Sequence, residues 1–420
     1  MNRNGRGLLL ATIFLFAATG AAAQHTPEAK PRPALDDAMQ AMFGVHSFHQ
    51  AEISPNGKMV VWVESLPAPG GGPSANLGIY VANADGTGTP RRITAGNAKA
   101  AYQEHDIAWS PDSATLAFLS DAAQTGQLQL FIAPVSKPTP AKKLTNFKGF
   151  VSDPGWSPDG KQIALLYTEN ATRAAGPLVA ETPDEGVVSE NFLEQRLTLV
   201  DPATASVRQV SPADIYVYEF DWAPDSKRLV VTAAPGNGDD KWYVANFFAL
   251  DSASNTMTPL MPKPAMQIAV PRWSPDGRTI AFIGGLMSDE GSVGGDVYAI
   301  PAMGGDARDL TPGMKASAST ITWSADSTKI LCVENKDGLA ALGVIDASAG
   351  GENTLHTFPG HVSAGGYGLA ISISADGRTS AAIQQSFDDP PEVWAGKLGT
   401  WKQITHKNAS LHPAWGKSVS

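Results

Sequence analysis

The chain has 420 residues, of which 43% are hydrophobic and 17% charged, with 41 glycines and 31 prolines. This is the composition of a folded, turn-rich protein. The formal net charge is −10, with 41 acidic against 31 basic residues, which argues against nucleic acid as a partner. The single cysteine, Cys332, excludes an internal disulfide, and its apolar neighbours predict a buried, unreactive thiol.

Residues 1–23 have the pattern of an export signal. Arg3 and Arg6 form a basic start, an apolar core of roughly 11 residues begins at Leu8, and three alanines precede Gln24. A membrane anchor is the alternative, but the apolar core is short for a span of about 20 residues, and the later sequence has no longer apolar run. We therefore expect a periplasmic or secreted protein with no membrane span after cleavage.

Residues 24–49 are predicted to be an N-terminal extension. Residues 24–34 are polar and rich in proline, which favours an extended or disordered segment. Apolar residues at helical spacing run from Leu35 to Phe43, and Gly44 can end that helix. The short helix is expected either to cap the structure that follows or to dock on another domain.

A short phrase recurs seven times from residue 50 onward. Its clearest copy is Trp-Ser-Pro-Asp-Gly-Lys at residues 156–161, and residues 273–278 are nearly identical. We call the first residue of each copy the marker; the markers are Ile53, Trp109, Trp156, Trp222, Trp273, Trp323 and Ile373.

The phrase predicts a strand, a tight turn and a second strand. Proline fixes the first corner of a turn, aspartate bonds its own backbone, and glycine adopts the positive φ that closes the turn. An alternating apolar run follows, as in a half-buried strand. Serine replaces the glycine in three copies, at Ser113, Ser226 and Ser327, and we expect those turns to be strained or of another type.

Two further strand patterns follow each hairpin, as at Val297–Ile300 and Arg308–Thr311. Four strands in a unit of roughly 50 residues, repeated in series, predict an all-β, seven-bladed propeller over residues 50–417. An open solenoid is the structural alternative. The aromatic marker is expected to pack between neighbouring blades. The third repeat is longer, from about Asn170 to Gln195, and its acidic insertion either carries function or is a solvated loop.

The strand before each marker carries polar groups at alternate positions. The residue two before the marker is apolar in all seven copies. The residues one or three before it include Glu52, Asp106, Asp153, Glu219, Asp221, Arg272, Thr320, Thr322 and Ser372. If this strand is the innermost of its blade, these groups face the central channel. Carboxylates confined there would have raised pKa values or attract a cation; the alternative is that they cap turns and bind channel water.

The repeated hairpins, each followed by a strand and a Leu-Thr or Ile-Thr end, resemble the amino-terminal propeller of prolyl-oligopeptidase-type serine peptidases. This group includes acylaminoacyl and dipeptidyl peptidases, and TolB-like periplasmic propellers are the near relative. The resemblance covers about residues 35–417, and the helix leading into the first repeat is similar to the entry of the peptidase propeller. It implies a disc that screens substrates by size and contacts the peptide.

In these peptidases a hydrolase domain with a Gly-x-Ser-x-Gly elbow follows the propeller. No serine of this chain has that setting, so we expect no catalytic residue here and a missing C-terminal hydrolase domain. The expected function is the substrate-gating, peptide-binding portion of such a peptidase. The alternatives are a stand-alone TolB-like protein-binding scaffold and, from another class, a propeller enzyme that hydrolyses with its channel carboxylates.

The resemblance to dipeptidyl peptidases, which hold the substrate amine with propeller carboxylates, suggests peptide-binding residues. They are Asp106, Asp153, Glu219 and Asp221 in the channel, and Asp184 and Glu185 in the inserted loop. A peptide substrate or a protein is the expected partner. We expect no cofactor or metal, because His46 and His49 lack zinc-motif spacing and the sequence has no phosphate-binding glycine loop.

Overall fold

A computed structural model gives the architecture of the chain. It describes residues 35, 43–67, 74, 76–97, 99–137, 139–171, 193–236, 239–285, 294–366 and 368–411. The predicted signal (1–23), most of the predicted helix at 35–44, and residues 172–192 of the long insertion lie outside the described residues. Within the described ranges, no helix has the length and apolarity needed to cross a bilayer.

The described residues form seven antiparallel sheets that follow one another along the chain. Blade 1 comprises β1 (Phe48–Ile53), β2 (Met59–Ser65), β3 (Leu77–Asn83) and β4 (Arg91–Ile93). Blade 2 comprises β5 (Glu104–Trp109), β6 (Thr115–Ser120), β7 (Gln129–Pro134) and β8 (Lys142–Lys143). Blade 3 comprises β9 (Gly149–Trp156), β10 (Ile163–Glu169), β11 (Gln195–Val200) and β12 (Val207–Gln209).

The remaining blades repeat this order. Blade 4 comprises β13 (Ile215–Trp222), β14 (Arg228–Pro235), a 3₁₀ helix (Asp239–Val244), β15 (Asn246–Asp251) and β16 (Met257–Pro259). Blade 5 comprises β17 (Gln267–Trp273), β18 (Thr279–Gly285), β19 (Asp296–Pro301) and β20 (Arg308–Asp309). Blade 6 comprises β21 (Ala316–Trp323), β22 (Lys329–Lys336), β23 (Leu339–Asp346) and β24 (Gly350–Thr357). Blade 7 comprises β25 (His361–Ser363), β26 (Ser372–Ile373), β27 (Thr379–Gln385), β28 (Glu392–Lys397) and β29 (Thr400–Gln403).

This confirms the predicted seven-bladed, all-β propeller. Each marker ends the first strand of its blade, and the Ser-Pro-Asp-Gly phrase forms the turn into the second strand. In blade 3, Ser157 Oγ donates to Asp159 Oδ1 at 2.7 Å and accepts the backbone N–H of Gln162 at 2.9 Å. The turn therefore satisfies its own polar groups.

The serine copies of the turn keep the same conformation as the glycine copies. Ser113, Ser226 and Ser327 have φ of 62°, 58° and 60°, against 70° for Gly160. They are therefore strained rather than of another type. Each serine hydroxyl also accepts, at 3.0 Å, a backbone N–H from the turn of the preceding blade, donated by Asn56, Asp159 and Asp276 respectively. The serine turns thus link blades 1 to 2, 3 to 4 and 5 to 6.

The hydrophobic core is divided among the interfaces between blades. Among the described residues, one buried apolar cluster lies at each of the seven interfaces. The tryptophan markers pack into these clusters, as predicted. Three of them also donate the indole N–H to a backbone carbonyl of the preceding blade: Trp156 to Ala108, Trp222 to Gly155 and Trp323 to Arg272. Cys332 is buried in the cluster between blades 5 and 6, and burial raises the pKa of its thiol.

The ring closes by packing blade 7 against blade 1, and each of these two sheets comes from its own continuous stretch of chain. Apolar side chains of both blades, among them Trp62 and Ile383, share one cluster. Asn408 adds a polar clasp, because its side chain accepts the N–H of His46 at 2.8 Å and donates to the carbonyl of His46 at 2.9 Å. The buried Glu64 also accepts Lys407 Nζ at 3.1 Å.

Candidate functional site

The first strands of the blades carry the candidate site. These strands are β1, β5, β9, β13, β17 and β21, with β25 and β26 together in blade 7. The apolar residue two before the marker packs inward to the blade interface, as for Ala51 and Ile107, which are 0% and 3% exposed. Six of the polar residues one and three before the marker line a common cavity, and Thr320, Thr322 and Ser372 do not line it; the six are Glu52, Asp106, Asp153, Glu219, Asp221 and Arg272.

A β-bulge interrupts the alternation in six of these first strands, within the described residues. The register with the second strand shifts at His49, at Asp106–Ile107, at Asp153–Pro154, at Tyr218, at Val270–Pro271 and at Ser319. A bulge re-aims side chains, so the residue four before the marker can also reach the channel. Simple alternation did not predict this second set, which includes His49, His105 and Tyr218.

The side chains meet in a cavity of about 890 Å³. Blades 1 to 5 and the glycine-rich stretch between β25 and β26 line it. Its charged and titratable lining residues are His49, Glu52, His105, Asp106, Asp153, Tyr218, Glu219, Asp221 and Arg272. A concave site of this size with convergent polar groups is the common form of a ligand-binding site.

Two of the acidic residues have strained backbones. Asp106 and Asp153 have φ of 51° and 54°, in the left-handed region that side-chain-bearing residues seldom adopt. Each lies three residues before its marker, in neighbouring blades. Val270, at the same position in blade 5, also has a positive φ of 55°, whereas Gln50 and Glu219 hold this position without one. The strain is therefore not confined to the acidic residues, but not every blade requires it, and such outliers concentrate at functional sites.

The carboxylates of blades 1 to 3 form one group. The Asp153 backbone N–H donates to Asp106 Oδ2 at 3.4 Å, and His105 Nδ1 lies 2.9 Å from Asp106 Oδ1. Ser152 Oγ donates to Asp153 Oδ2 at 2.7 Å, and Gln50 Nε2 donates to Glu52 Oε1 at 2.8 Å. These contacts leave carboxylate oxygens available for a ligand, since a carboxylate can accept about four hydrogen bonds.

Confinement moves the protonation of this group toward neutral pH. Burial raises the pKa of Glu52 to about 7, and the Asp106 charge adds to the rise. Burial and the Asp106 charge raise the pKa of Asp153 to about 6, although channel water still reaches its side chain. For His105, burial lowers the pKa but the hydrogen bond and charge of Asp106 outweigh it, so the pKa is raised. A bound cation would favour the ionised carboxylates.

The acids of blade 4 are used differently. Glu219 accepts the backbone N–H of Val270 in blade 5 at 3.0 Å and the hydroxyl of Thr232 at 2.8 Å. Asp221 accepts the backbone N–H of Trp273 at 2.6 Å. Burial raises the pKa of Asp221 to about 6, against the lowering effect of Arg272, and also raises the pKa of Glu219. These two carboxylates join blade 4 to blade 5.

A serine–histidine contact also lies at the cavity. His49 Nε2 is 2.8 Å from Ser65 Oγ. Burial and the charges of His105 and His46 lower the pKa of His49. A serine nucleophile needs a base oriented by a third group and donors for the oxyanion. Within the described residues, no carboxylate is bonded to His49, so this contact does not form a catalytic triad.

The structure brings four of the six predicted binding residues to one cavity: Asp106, Asp153, Glu219 and Asp221. Asp184 and Glu185 lie outside the described residues, so their role stays a prediction. Within the described part of the chain, no group of three or more metal-ligating side chains is close enough to hold an ion. The carboxylates on the side of blades 1 to 3 can instead accept hydrogen bonds from an organic cation such as an ammonium group. Arg272 adds a positive group from blade 5.

The comparisons with known proteins agree with the fold. No family model matches the chain. An uncharacterized peptidase of Bacillus subtilis, YuxL, is 30% identical over 137 residues, which are 33% of this chain and 19% of that protein. The acylaminoacyl peptidase of Pyrococcus horikoshii matches with a TM-score of 0.60 and 12% identity, over 87% of this chain and 54% of that one.

The β-propeller domain of the trilobed protease of Pyrococcus furiosus matches with a TM-score of 0.61 and 13% identity, over 89% of this chain and 99% of that domain. TolB of Acinetobacter baumannii matches more weakly, with a TM-score of 0.46. The chain is therefore a seven-bladed propeller that resembles the propeller domains of prolyl-oligopeptidase-type peptidases. It spans about half of the acylaminoacyl peptidase and corresponds to nearly the whole of the isolated propeller domain.

Proposed function

We propose that this chain is the propeller portion of an exported prolyl-oligopeptidase-type serine peptidase, and that it binds the positively charged end of a substrate peptide in its channel. The observation that carries the proposal is the pair of strained aspartates, Asp106 and Asp153, aimed into one cavity. The nucleophile of such a peptidase would lie on a hydrolase domain outside these 420 residues.

A peptide amino terminus fits this group of carboxylates. Its pKa of about 7.7–8 keeps it largely protonated at neutral pH. Charge-assisted hydrogen bonds from an ammonium group to carboxylates are about twice as strong as neutral ones. Glu52, Asp106 and Asp153 come from three blades and line the same cavity, whereas Glu219 and Asp221 hold backbone groups of blade 5 at 3.0 Å and 2.6 Å.

The channel also limits what can enter. A cavity of about 890 Å³ has the size of a small-ligand site and is too small to hold a folded protein. This supports a disc that admits peptides and unfolded ends. The basic and apolar pattern of residues 1–23 supports export to the periplasm or the medium.

The test measures binding of a free and an N-acetylated tripeptide amide to the purified chain by calorimetry. We expect the free amine to bind at least tenfold more tightly, because acetylation removes the charge. Equal binding of both peptides would overturn the amine site. It would favour the alternative of a stand-alone scaffold that binds proteins by another surface.

A serine-reactive fluorophosphonate tests the proposal that the nucleophile lies outside these 420 residues. We expect no labelling of the 420-residue chain, and labelling of a product that continues into a hydrolase domain. Labelling of the chain itself, lost in Ser65→Ala, would make the Ser65–His49 contact catalytic and overturn the proposal that catalysis lies elsewhere.

A further inference from the structure

The cavity is lined by aromatic side chains as well as by acidic ones. Tyr218 lines the cavity together with Phe220 and Trp222, all from β13 of blade 4. Tyr218 occupies the bulge of that strand, where the register shifts between Val217 and Glu219. The bulge turns its ring toward the channel, whereas regular alternation would turn it toward the blade interface.

Two further rings hold Tyr218 in place. The Tyr216 ring lies 4.8 Å from the Tyr218 ring, and Tyr216 is buried. The Trp242 ring meets Tyr218 edge to face at 5.4 Å, and Trp242 packs on the apolar cluster between blades 5 and 6. Trp242 belongs to the 3₁₀ helix Asp239–Val244, the one helical element between blade strands in the described residues. We call Tyr216, Tyr218 and Trp242 the aromatic shelf.

The shelf is particular to blade 4. The residues at the matching position, four before the marker, are small, polar or aliphatic in the other blades: His49, His105, Ser152, Ala269, Ser319 and Leu369. A rigid aromatic surface gives large contact area at low cost in conformational entropy. Offset and edge-to-face contacts add specificity for a further aromatic ring.

We propose that the aromatic shelf is a subsite for an aromatic or large apolar side chain within the first two residues of the bound peptide. This inference rests on the proposed function, in which Asp153 and its neighbours hold the amino terminus. Asp153 and Tyr218, the member of the shelf that lines the cavity, share one cavity of about 890 Å³. The Asp153 charge acts on Glu219, the residue next to Tyr218. A peptide advances only about 3.5 Å per residue, so a side chain that reaches Tyr218 lies close to the bound amine.

The test compares four peptides by calorimetry: Ala-Phe-Ala amide, Ala-Ala-Ala amide and the N-acetylated form of each. We expect Ala-Phe-Ala amide to bind about tenfold more tightly than Ala-Ala-Ala amide. Tyr218→Ala should remove this difference, while Tyr218→Phe should keep it. Ser319→Ala is the matched control, since Ser319 holds the same bulge position in blade 6 but does not line the cavity.

The outcomes separate the two claims. If both free peptides bind equally and acetylation still abolishes binding, the shelf is not a subsite and the amine site stands. If acetylation has no effect on either peptide, the proposed function fails and the inference fails with it. A preference for phenylalanine that survives in Tyr218→Ala would place the subsite elsewhere and also overturn the inference. Far-ultraviolet circular dichroism checks that each variant is folded.

Discussion

The acids of blades 2 and 3 and the acids of blade 4 occupy equivalent places on the channel and behave differently. Glu219 and Asp221 hold backbone N–H groups of blade 5 at 3.0 Å and 2.6 Å. Asp106 and Asp153 have strained backbones, and Asp106 accepts the backbone N–H of Asp153 in blade 3 at a longer 3.4 Å. Glu219 and Asp221 therefore connect blade 4 to blade 5, whereas Asp106 and Asp153 have the features of a ligand site.

This difference separates two explanations for charge in a channel. A carboxylate that accepts backbone N–H groups stabilises the fold, and its loss leaves buried donors without partners. A carboxylate on a strained backbone destabilises the fold unless function retains it. Variants at the two places should therefore change different measurements, in the following order of expected effect.

The largest effect should come from Glu219→Ala. We expect the free energy of unfolding to fall by about 2–3 kcal/mol, because Val270 N–H and the Thr232 hydroxyl lose their acceptor. Val270 itself has a strained φ of 55°, which this carboxylate supports. Urea denaturation measures the change. Glu219→Gln, which keeps an acceptor oxygen, should recover part of the lost stability. A fall in the free energy of unfolding below about 0.5 kcal/mol in Glu219→Ala would show that this carboxylate does not hold blades 4 and 5 together.

Asp153→Asn should change binding and spare stability. We expect the affinity for a free tripeptide amide to fall by about 10- to 100-fold, because a charge-assisted hydrogen bond is lost. The exposed Asp306→Asn in blade 5 removes the same charge away from the channel and is the control. Calorimetry measures both. Unchanged affinity in Asp153→Asn would assign this aspartate to structure.

A rise in pH from 5 to 7 should strengthen peptide binding and lower the stability of the fold. The pKa values of Asp153 and Glu52 are raised to about 6 and 7, so the folded state binds their protons more tightly than the unfolded chain does. Their contribution to stability is present below pH of about 4 and is lost as the pH rises through 6 to 7. Peptide affinity should instead rise by about tenfold between pH 5 and 7, as a carboxyl of pKa 6 ionises.

Binding and thermal unfolding measured across pH 5–8 test this expectation. The Asp153→Asn variant should show a flatter dependence of both quantities, since one of the carboxyl groups that titrate in this range is gone. Affinity that falls as the pH rises from 5 to 7 would show that the ligand is not recognised by ionised carboxylates.

The smallest effect should be a gain in stability. Asp153→Gly removes the side-chain penalty of the left-handed backbone, and we expect up to about 1 kcal/mol of stabilisation. Glu219→Gly occupies the same strand position without a positive φ and should destabilise. Thermal unfolding compares the two. If Asp153→Gly is less stable than the parent chain, the strain is not what distinguishes the two places.

The repeat was readable from the sequence because the Ser-Pro-Asp-Gly phrase fixes a local turn. The seven hairpins, the apolar residue two before each marker and the packing of the tryptophans follow from that phrase and strand alternation. The residues of the candidate site could be predicted only in part. Glu52, Asp106, Asp153 and Arg272 follow from alternation, whereas His105 and Tyr218 enter the channel through bulges, which insert a residue without a sequence period of their own.

Other features depend on contacts between distant residues. The serine of each such turn accepts a backbone N–H from a residue 51 to 67 positions earlier, in the preceding blade. Local turn chemistry therefore predicts the backbone strain of these serines but not their hydrogen bond to the preceding blade. The different roles of the acids depend on how closely each of them holds a backbone N–H of the next blade, at 3.0 Å for Glu219, 2.6 Å for Asp221 and 3.4 Å for Asp106. Val270 provides such a donor to Glu219, and its own sequence neighbourhood does not indicate this.

The clasp between Asn408 and His46 brings residues 362 apart in sequence into direct contact, while every blade is made from one uninterrupted stretch. The propeller therefore suits circular permutation. Joining residue 408 to residue 46 by a short linker and opening the chain at the exposed Lys263, between blades 4 and 5, would keep all seven sheets intact. Such a rearranged chain would carry its new ends between blades 4 and 5, the two blades that Glu219 connects, where a fluorophore pair could report on their separation.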